Sequence, residues 1–301
     1  MTGAFDGTYR FSGIYRNQWR SVTIPYNTLG ISADASNFAR VENMGAGFNL
    51  LFDQAGDSHF KTIQATVSLA WMYPFDRDKK EYLSFGFQGS ITQRSFDYSK
   101  LRYGSQYVSG DFGGYYDPTN PSFENYAVYS FVYPDLNVGV YYNWQPKKRK
   151  RFSTGISIYN ATSATQSFKN NPFIHLDPRF NYHADGIIQL NQRVDIMPQL
   201  LLMKQGTYYE LTLGGMAKYY VSTGKYNYRA LYVGIYSRAI DAAYLVLAMD
   251  YNNWHAGISY DFNYSRLVPA SQGRGGWELS VSYIIPRIPN RFKYRSCPDF
   301  R

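Results

Sequence analysis

The residues able to do chemistry are few and poorly spaced for it. Four histidines, His59, His175, His183 and His255, are scattered through 301 residues. None sits in an HExxH pair, and the chain has no G-x-S-x-G elbow. His183 and Asp185 stand two apart, which puts both on one face of a strand and would let the carboxylate orient an imidazole. No nucleophile is assigned by spacing, and hydrolysis needs nucleophile, base and orienter within mutual reach. Asp53, Asp57 and His59 in "DQAGDSH" offer ligands to a hard cation such as calcium. Their spacing is not that of an EF-hand loop, and Asp and Gly are ordinary turn formers, so the stretch reads as a turn. A lone cysteine, Cys297, leaves no intrachain disulfide and no Cys-type zinc site. No catalytic residue, metal or cofactor is therefore assigned.

Charge raises a second question, because Lys147 to Arg151 are five consecutive basic residues in a chain of net charge +9. Such runs can mark nucleic-acid patches. Here the flanks alternate: Leu136, Val138, Val140, Tyr142 and Trp144 on one side, Phe152, Thr154, Ile156 and Ile158 on the other. The run is thus the tip of a β-hairpin and belongs to none of the recognised nucleic-acid folds. It reads as a solvated turn, with anionic headgroups or an acidic protein as the alternative contact. Nucleic acid is not expected as a partner.

The same period of two recurs along the chain. Met44, Ala46, Phe48, Leu50 and Phe52 alternate with small or polar residues, as do Ile63 to Trp71, Leu83 to Ile91, Ala256 to Tyr264 and Trp277 to Ile285. A soluble sandwich also alternates, so the decisive feature is the other face. It carries Gly, Ser, Thr, Asn and Gln where a soluble sheet would show Lys, Glu and Arg. Charged residues are only 18% of the chain and aromatics 19%, against about 25% charged in soluble domains. The apolar face of these segments is free of charge, and a Lys or Arg facing lipid at mid-membrane costs about 2–4 kcal/mol. No apolar run approaches the ~18 residues of a spanning helix. Trp71, Trp144 and Trp277 stand at strand ends, where an interfacial girdle places them.

These patterns predict an all-β fold: a transmembrane antiparallel β-barrel of about fourteen strands in the bacterial outer membrane, formed by residues 1–301 as one domain and contacting outer-membrane lipid. The strands are expected near 8–20, 26–36, 43–53, 60–72, 82–95, 136–145, 151–161, 179–190, 194–204, 208–221, 229–238, 242–251, 254–264 and 276–286. Short turns face the periplasm and long loops the outside, chiefly 96–135 and 162–178. Both chain ends then lie in the periplasm, with a C-terminal tail over 287–301.

The long external connection gathers Tyr107, Phe112, Tyr115, Tyr116, Phe123 and Tyr126 among glycines and polar residues. Tyrosine-rich loops supply contact area at low entropy cost, as binding surfaces do. The same loop could instead fold inward and fill the lumen. Arg16 and Trp19, ending the first strand at the external rim, are candidates either for partner contact or for a polar network closing the mouth.

Several stretches together resemble the PorP/SprF family, outer-membrane proteins linked to type IX secretion and gliding motility in Bacteroidetes. They are "YRNQW" at Tyr15 to Trp19, "PYNTLGISAD" at Pro25 to Asp34, "DQAGD" at Asp53 to Asp57, "DFNYSRLVPASQGRGGWELSVSY" at Asp261 to Tyr283, and the "CP" of Cys297 and Pro298. The match runs in order along nearly the whole chain. It departs at the start, where the family usually opens near Asn-Pro-Ala and this chain has "MTGAFDG", which suggests a few missing mature residues. The resemblance implies a non-enzymatic barrel that docks, exports or anchors secreted adhesins bearing the type B C-terminal domain, with periplasmic type IX components as further partners. A porin and an outer-membrane hydrolase stand as the alternatives.

Overall fold

The computed structural model describes residues 7–20, 24–110, 113–224, 227–265, 268 and 272–286. Phe112 and the tail expected over 287–301 lie outside the described residues. The strands are β1 (Tyr9–Gln18), β2 (Tyr26–Ser36), β3 (Met44–Ala55), β4 (Phe60–Pro74), β5 (Glu81–Ser95), β6 (Tyr107–Val108), β7 (Tyr115–Tyr116), β8 (Ser130–Lys147), β9 (Lys150–Tyr159) and β10 (Arg179–Gln189). They continue with β11 (Val194–Gln205), β12 (Tyr208–Gly224), β13 (Asn227–Arg238), β14 (Ala242–Tyr251), β15 (Trp254–Asn263) and β16 (Arg274–Ile285). Fourteen of them close into one antiparallel barrel, in which β5 pairs with β8 and β1 with β16. The remaining two, β6 and β7, form a small separate hairpin in the loop above β5 and β8.

Alternation decides what each face meets. Phe11, Ile31, Phe48, Val67, Phe87, Ile91, Ile156, Ile235, Leu247 and Val281 are all exposed on the outer wall. The intervening residues, among them Ser68, Ser84, Ser90, Thr92, Asn137 and Ser153, are buried on the inner wall. An outside that is greasy and an inside that is polar is the reverse of a soluble sheet, and only hydrocarbon outside makes it stable. Trp71, Trp144 and Trp254 stand at the short-turn end with Tyr9 and Tyr251, and Trp277 at the opposite end. These aromatics mark the two interfaces.

Each of the fourteen expected segments is a barrel strand. Most boundaries shift by one to three residues, and the largest difference is that β8 begins at Ser130, so the long connection expected over 96–135 spans 96–129 instead. Pro134 lies inside the added stretch, and proline cannot donate to a ladder. It is tolerated because this part of β8 pairs only with β5, while pairing with β9 starts at Val138. The missing N–H faces the unpaired side. Pro198 in β11 is accommodated similarly: the β10–β11 ladder skips from the Asp185–Gln199 pair to the Ile188–Ile196 pair.

Candidate functional site

Inside the extracellular mouth, the loop over 160–178 turns back onto the inner wall. Thr162 Oγ1 donates to Asp135 Oδ1 at 2.7 Å, and the Asn160 amide donates to Asn137 Oδ1 at 3.0 Å. Arg94 donates a short hydrogen bond to Gln166 Oε1. Phe168 then packs against Phe96 (ring centroids 4.6 Å), Phe131 (4.7 Å) and Phe60 (6.1 Å). Alternation puts Arg94, Phe131, Asp135 and Asn137 on the inner wall, so this loop enters the barrel over β4, β5 and β8. It is held to itself by the Thr165–His175 bridge and a 2.7 Å bond from the Gln166 amide to the Ile174 carbonyl.

The longer loop, 96–129, lies over the shorter one. The amides of Ala127 and Val128 both donate to the Phe168 carbonyl, at 2.9 and 3.1 Å, and Lys169 pairs with Glu124 at 2.6 Å. Its own interior is built on Gln106, which is buried. The Gln106 side chain donates to the Asn120 carbonyl at 2.9 Å and accepts from the Tyr116 hydroxyl at 3.2 Å. Burial and the hydrogen bond with Tyr126 push the Tyr103 phenol well above its usual range. The Ser99 hydroxyl holds the Asp97 carboxyl below the usual range, and the Thr119 hydroxyl does the same for Asp117.

The structure divides the predicted loop aromatics into two sets. Tyr116 and Tyr126 point inward: Arg102 lies 5.1 Å from the Tyr116 ring, and Tyr126 packs on Phe96 and Tyr98 at 5.0 and 5.8 Å. Tyr107, Tyr115 and Phe123 point outward at 57%, 62% and 81% exposure. Phe173, Tyr208, Tyr209 and Ile240 join them on the extracellular rim, all strongly exposed. Sequence reasoning missed these four, although "NNPF" and "GTYY" place aromatics inside turn signals. It also missed Phe168, whose role depends on a contact with residues 37 to 108 positions away along the chain.

Arg16 is on the inner wall, where its guanidinium donates to Asp261 Oδ2 at 2.9 Å and lies 3.9 Å from Glu278. Trp19 follows in the left-handed region at φ 53°. Its amide donates to the Gly275 carbonyl at 3.1 Å and its ring meets Tyr26 edge-on at 4.8 Å. Both residues are thus engaged in the wall and its closure.

At the periplasmic end the inner wall carries an ionic cluster. The basic run forms a tight hairpin with Lys147 opposite Lys150, and only part of it is solvated. Lys147, Lys148 and Lys150 are exposed, but Arg149 folds under the barrel rim. It grips Asp195, which is fully buried at 0% exposure, through Nε at 3.0 and 3.1 Å and Nη2 at 2.7 Å. The bond to Asp195 raises the guanidinium pKa further. Tyr220 donates to the same carboxylate at 2.7 Å, with Arg149 4.3 Å from its ring. Beside it, Lys218 sits among the rings of Tyr220, Tyr228 and Tyr232 at 5.0, 5.5 and 4.8 Å. Asp250 completes that group, 3.3 Å from Lys218 and hydrogen-bonded by Tyr232 at 2.5 Å and His255 at 2.7 Å. Charges at inward positions of otherwise polar-neutral strands were the available signal for this cluster.

The remaining sequence candidates are separated by their partners. Asp185 pairs with Arg151 at 3.3 Å, while the His183 ring stacks on Tyr141 at 5.7 Å. A Cβ at Gly155 would come within 2.5 Å of the His183 ring, so glycine makes room for that stack. Asp53 accepts from Thr28 Oγ1 at 2.5 Å, and His59 pairs with the Gln54 amide. Among the described residues, no group of three or more His, Cys, Asp or Glu is arranged to hold a metal ion.

A closed barrel with a greasy exterior, two aromatic girdles and a polar inner wall is an outer-membrane protein. The fold matches the TodX deltaS2S3 mutant monoaromatic hydrocarbon channel at TM-score 0.51 and 9% identity, covering 92% of this chain and 90% of that one. CymD, a monoaromatic hydrocarbon channel, aligns at TM-score 0.48 and 10% identity (94% and 90% covered). A Pseudomonas aeruginosa FadL homologue aligns at 0.44 and 12% (91% and 88%). No curated protein matches the chain in sequence. The model of the type IX secretion system membrane protein PorP/SprF family matches residues 1–283, and the chain belongs to that family.

Proposed function

We propose that residues 1–301 act as one non-enzymatic domain that docks secreted adhesins or other cargo at the cell surface through their type B C-terminal domain, for export or anchoring. Membership of a type IX secretion family supports a secretion component. The observation that carries the docking reading is the extracellular cap. It is ordered by Phe168 and Gln106 from within, yet leaves Tyr107, Tyr115 and Phe123 turned outward. Exposed aromatics on an ordered cap over the mouth favour a protein surface over a diffusion path. Periplasmic type IX components are the partners proposed for the opposite rim, where Lys147, Lys148 and Lys150 stand exposed.

Affinity capture from native outer membranes followed by mass spectrometry tests this reading. Recovery of a cargo C-terminal domain, lost in a Tyr107→Ser, Tyr115→Ser, Phe123→Ser variant, is the expected result. Recovery of no cargo or secretion component overturns it. A porin would instead give steady conductance in a planar bilayer, and a hydrolase would label with a serine-directed reagent.

A further inference from the structure

On the outer wall, a trough over β8 and β9 lies between two aromatic ridges. Phe85 and Phe87 on β5 form one ridge, Phe180 and Tyr182 on β10 the other, and Val138, Val140 and Ile158 floor the trough between them, with Ile156 rising from it. The four strands are consecutive neighbours, so the ridges stand roughly 14 Å apart at about 4.8 Å per strand. Val138, Val140 and Ile158 are half-buried, whereas Phe87 on the ridge reaches 62% and Ile156 61%. The trough holds about 670 Å³, within the ~300–1,000 Å³ of small-molecule sites.

One side chain breaks the apolar lining. Lys204 stands one residue from the extracellular end of β11, on the lipid-facing side between Phe180 and Tyr209. Among the described residues, its amine makes no ion pair and no hydrogen bond. Lys61, one residue from the extracellular end of β4, likewise stands exposed on the outer side, whereas Lys218 on the inner wall pairs with Asp250. A cation on the lipid face is costly unless it reaches the headgroup layer and finds an anion.

We propose that this trough is a lipid-binding site: it seats acyl chains of a phosphorylated glycolipid of the outer leaflet, and Lys204 pairs with a headgroup phosphate. The occupant follows from the lining. It must be apolar along its length and anionic at one end, and that end must lie at extracellular headgroup height. A partner's apolar helix, about 10 Å across, would fit the width but would leave Lys204 without an anion. The site is independent of cargo docking, because its residues face hydrocarbon and the cap residues face water.

The test uses the full chain in phosphatidylcholine nanodiscs, titrated with lipid A and followed by native mass spectrometry. Saturable binding is expected, about fivefold weaker in Lys204→Gln, the worth of one lysine at an anionic surface. It should be lost in Val140→Trp, which fills the trough, while heat-modifiable migration and cargo capture stay unchanged. If that variant misfolds, Ile156→Phe serves instead. Equal binding by all variants, or no saturable binding, overturns the proposal. So does a photoreactive residue at Ile156 that captures a polypeptide in native membranes.

Discussion

The two ends of the barrel are held together by different physics. The extracellular end is closed by loops that bury aromatic rings against one another, with Phe168 at the centre of Phe60, Phe96 and Phe131. The periplasmic end has turns too short to fold inward, and side chains tie it together instead: Asp195 holding Arg149 and Tyr220, Asp250 holding Lys218, Tyr232 and His255. Apolar packing tolerates displacement and can be remade, whereas a buried carboxylate left without its cation is heavily penalised. The difference assigns adaptability to the extracellular cap and rigidity to the periplasmic rim.

The sharpest way to break this contrast is to undo one end at a time. Replacing residues 162–176 by a short Gly-Ser linker should uncover the inner wall at Arg94 and Asp135, so that a cysteine placed at Asp135 goes from protected to reactive toward a membrane-impermeant thiol reagent. Asp195→Ala should destabilise the barrel by about 3–5 kcal/mol, the usual cost of orphaning a buried ion partner, measured by urea unfolding in lipid vesicles. Its cap should resist protease as before. Phe168→Ala should do the reverse, with protease entering 96–129 early and a local loss of about 3–5 kcal/mol, while urea unfolding of the strands is unchanged.

Acidity should act on the cap through groups outside the membrane. Asp97 and Asp117 have folded pKa values below their ordinary 3.8, so their contribution is present above that value and fades as pH falls through the folded one. Tyr103, ordinarily near 10.0, is held neutral by folding, so its contribution is intact below pH 10 and lost as pH rises beyond it. Amide exchange in 96–129 should therefore be slowest between about pH 4 and pH 10 once corrected for intrinsic rates. The smallest effect belongs to Lys148→Ser in the solvated part of the basic run, expected within about 0.5 kcal/mol of the parent.

The strands were legible because their signal is local and repeated. Phe85, Phe87 and Ile91 against Ser84, Gly86, Ser90 and Thr92 state a two-sided sheet with lipid on one side, and fourteen such segments state a closed one. The basic run was half legible: its hairpin was evident from the flanks, but the burial of Arg149 depends on Asp195, 46 residues away. The cap was the least legible part. Composition marked 96–129 as aromatic and functional, yet nothing local distinguishes Tyr116, which accepts an interior place beside Gln106, from Tyr115, which faces water.

By itself, then, the sequence determined the barrel, its strand number and its lipid-facing side, because side-chain period and the polarity of each face are properties of neighbours in the chain. The tertiary structure alone decided which loop enters the lumen, which tyrosines face outward, that Asp185 pairs with Arg151 and not His183, and that a trough with a lone lysine runs along β8 and β9. Those outcomes depend on which distant strands become adjacent when the cylinder closes, and closure fixes distances that no local pattern encodes.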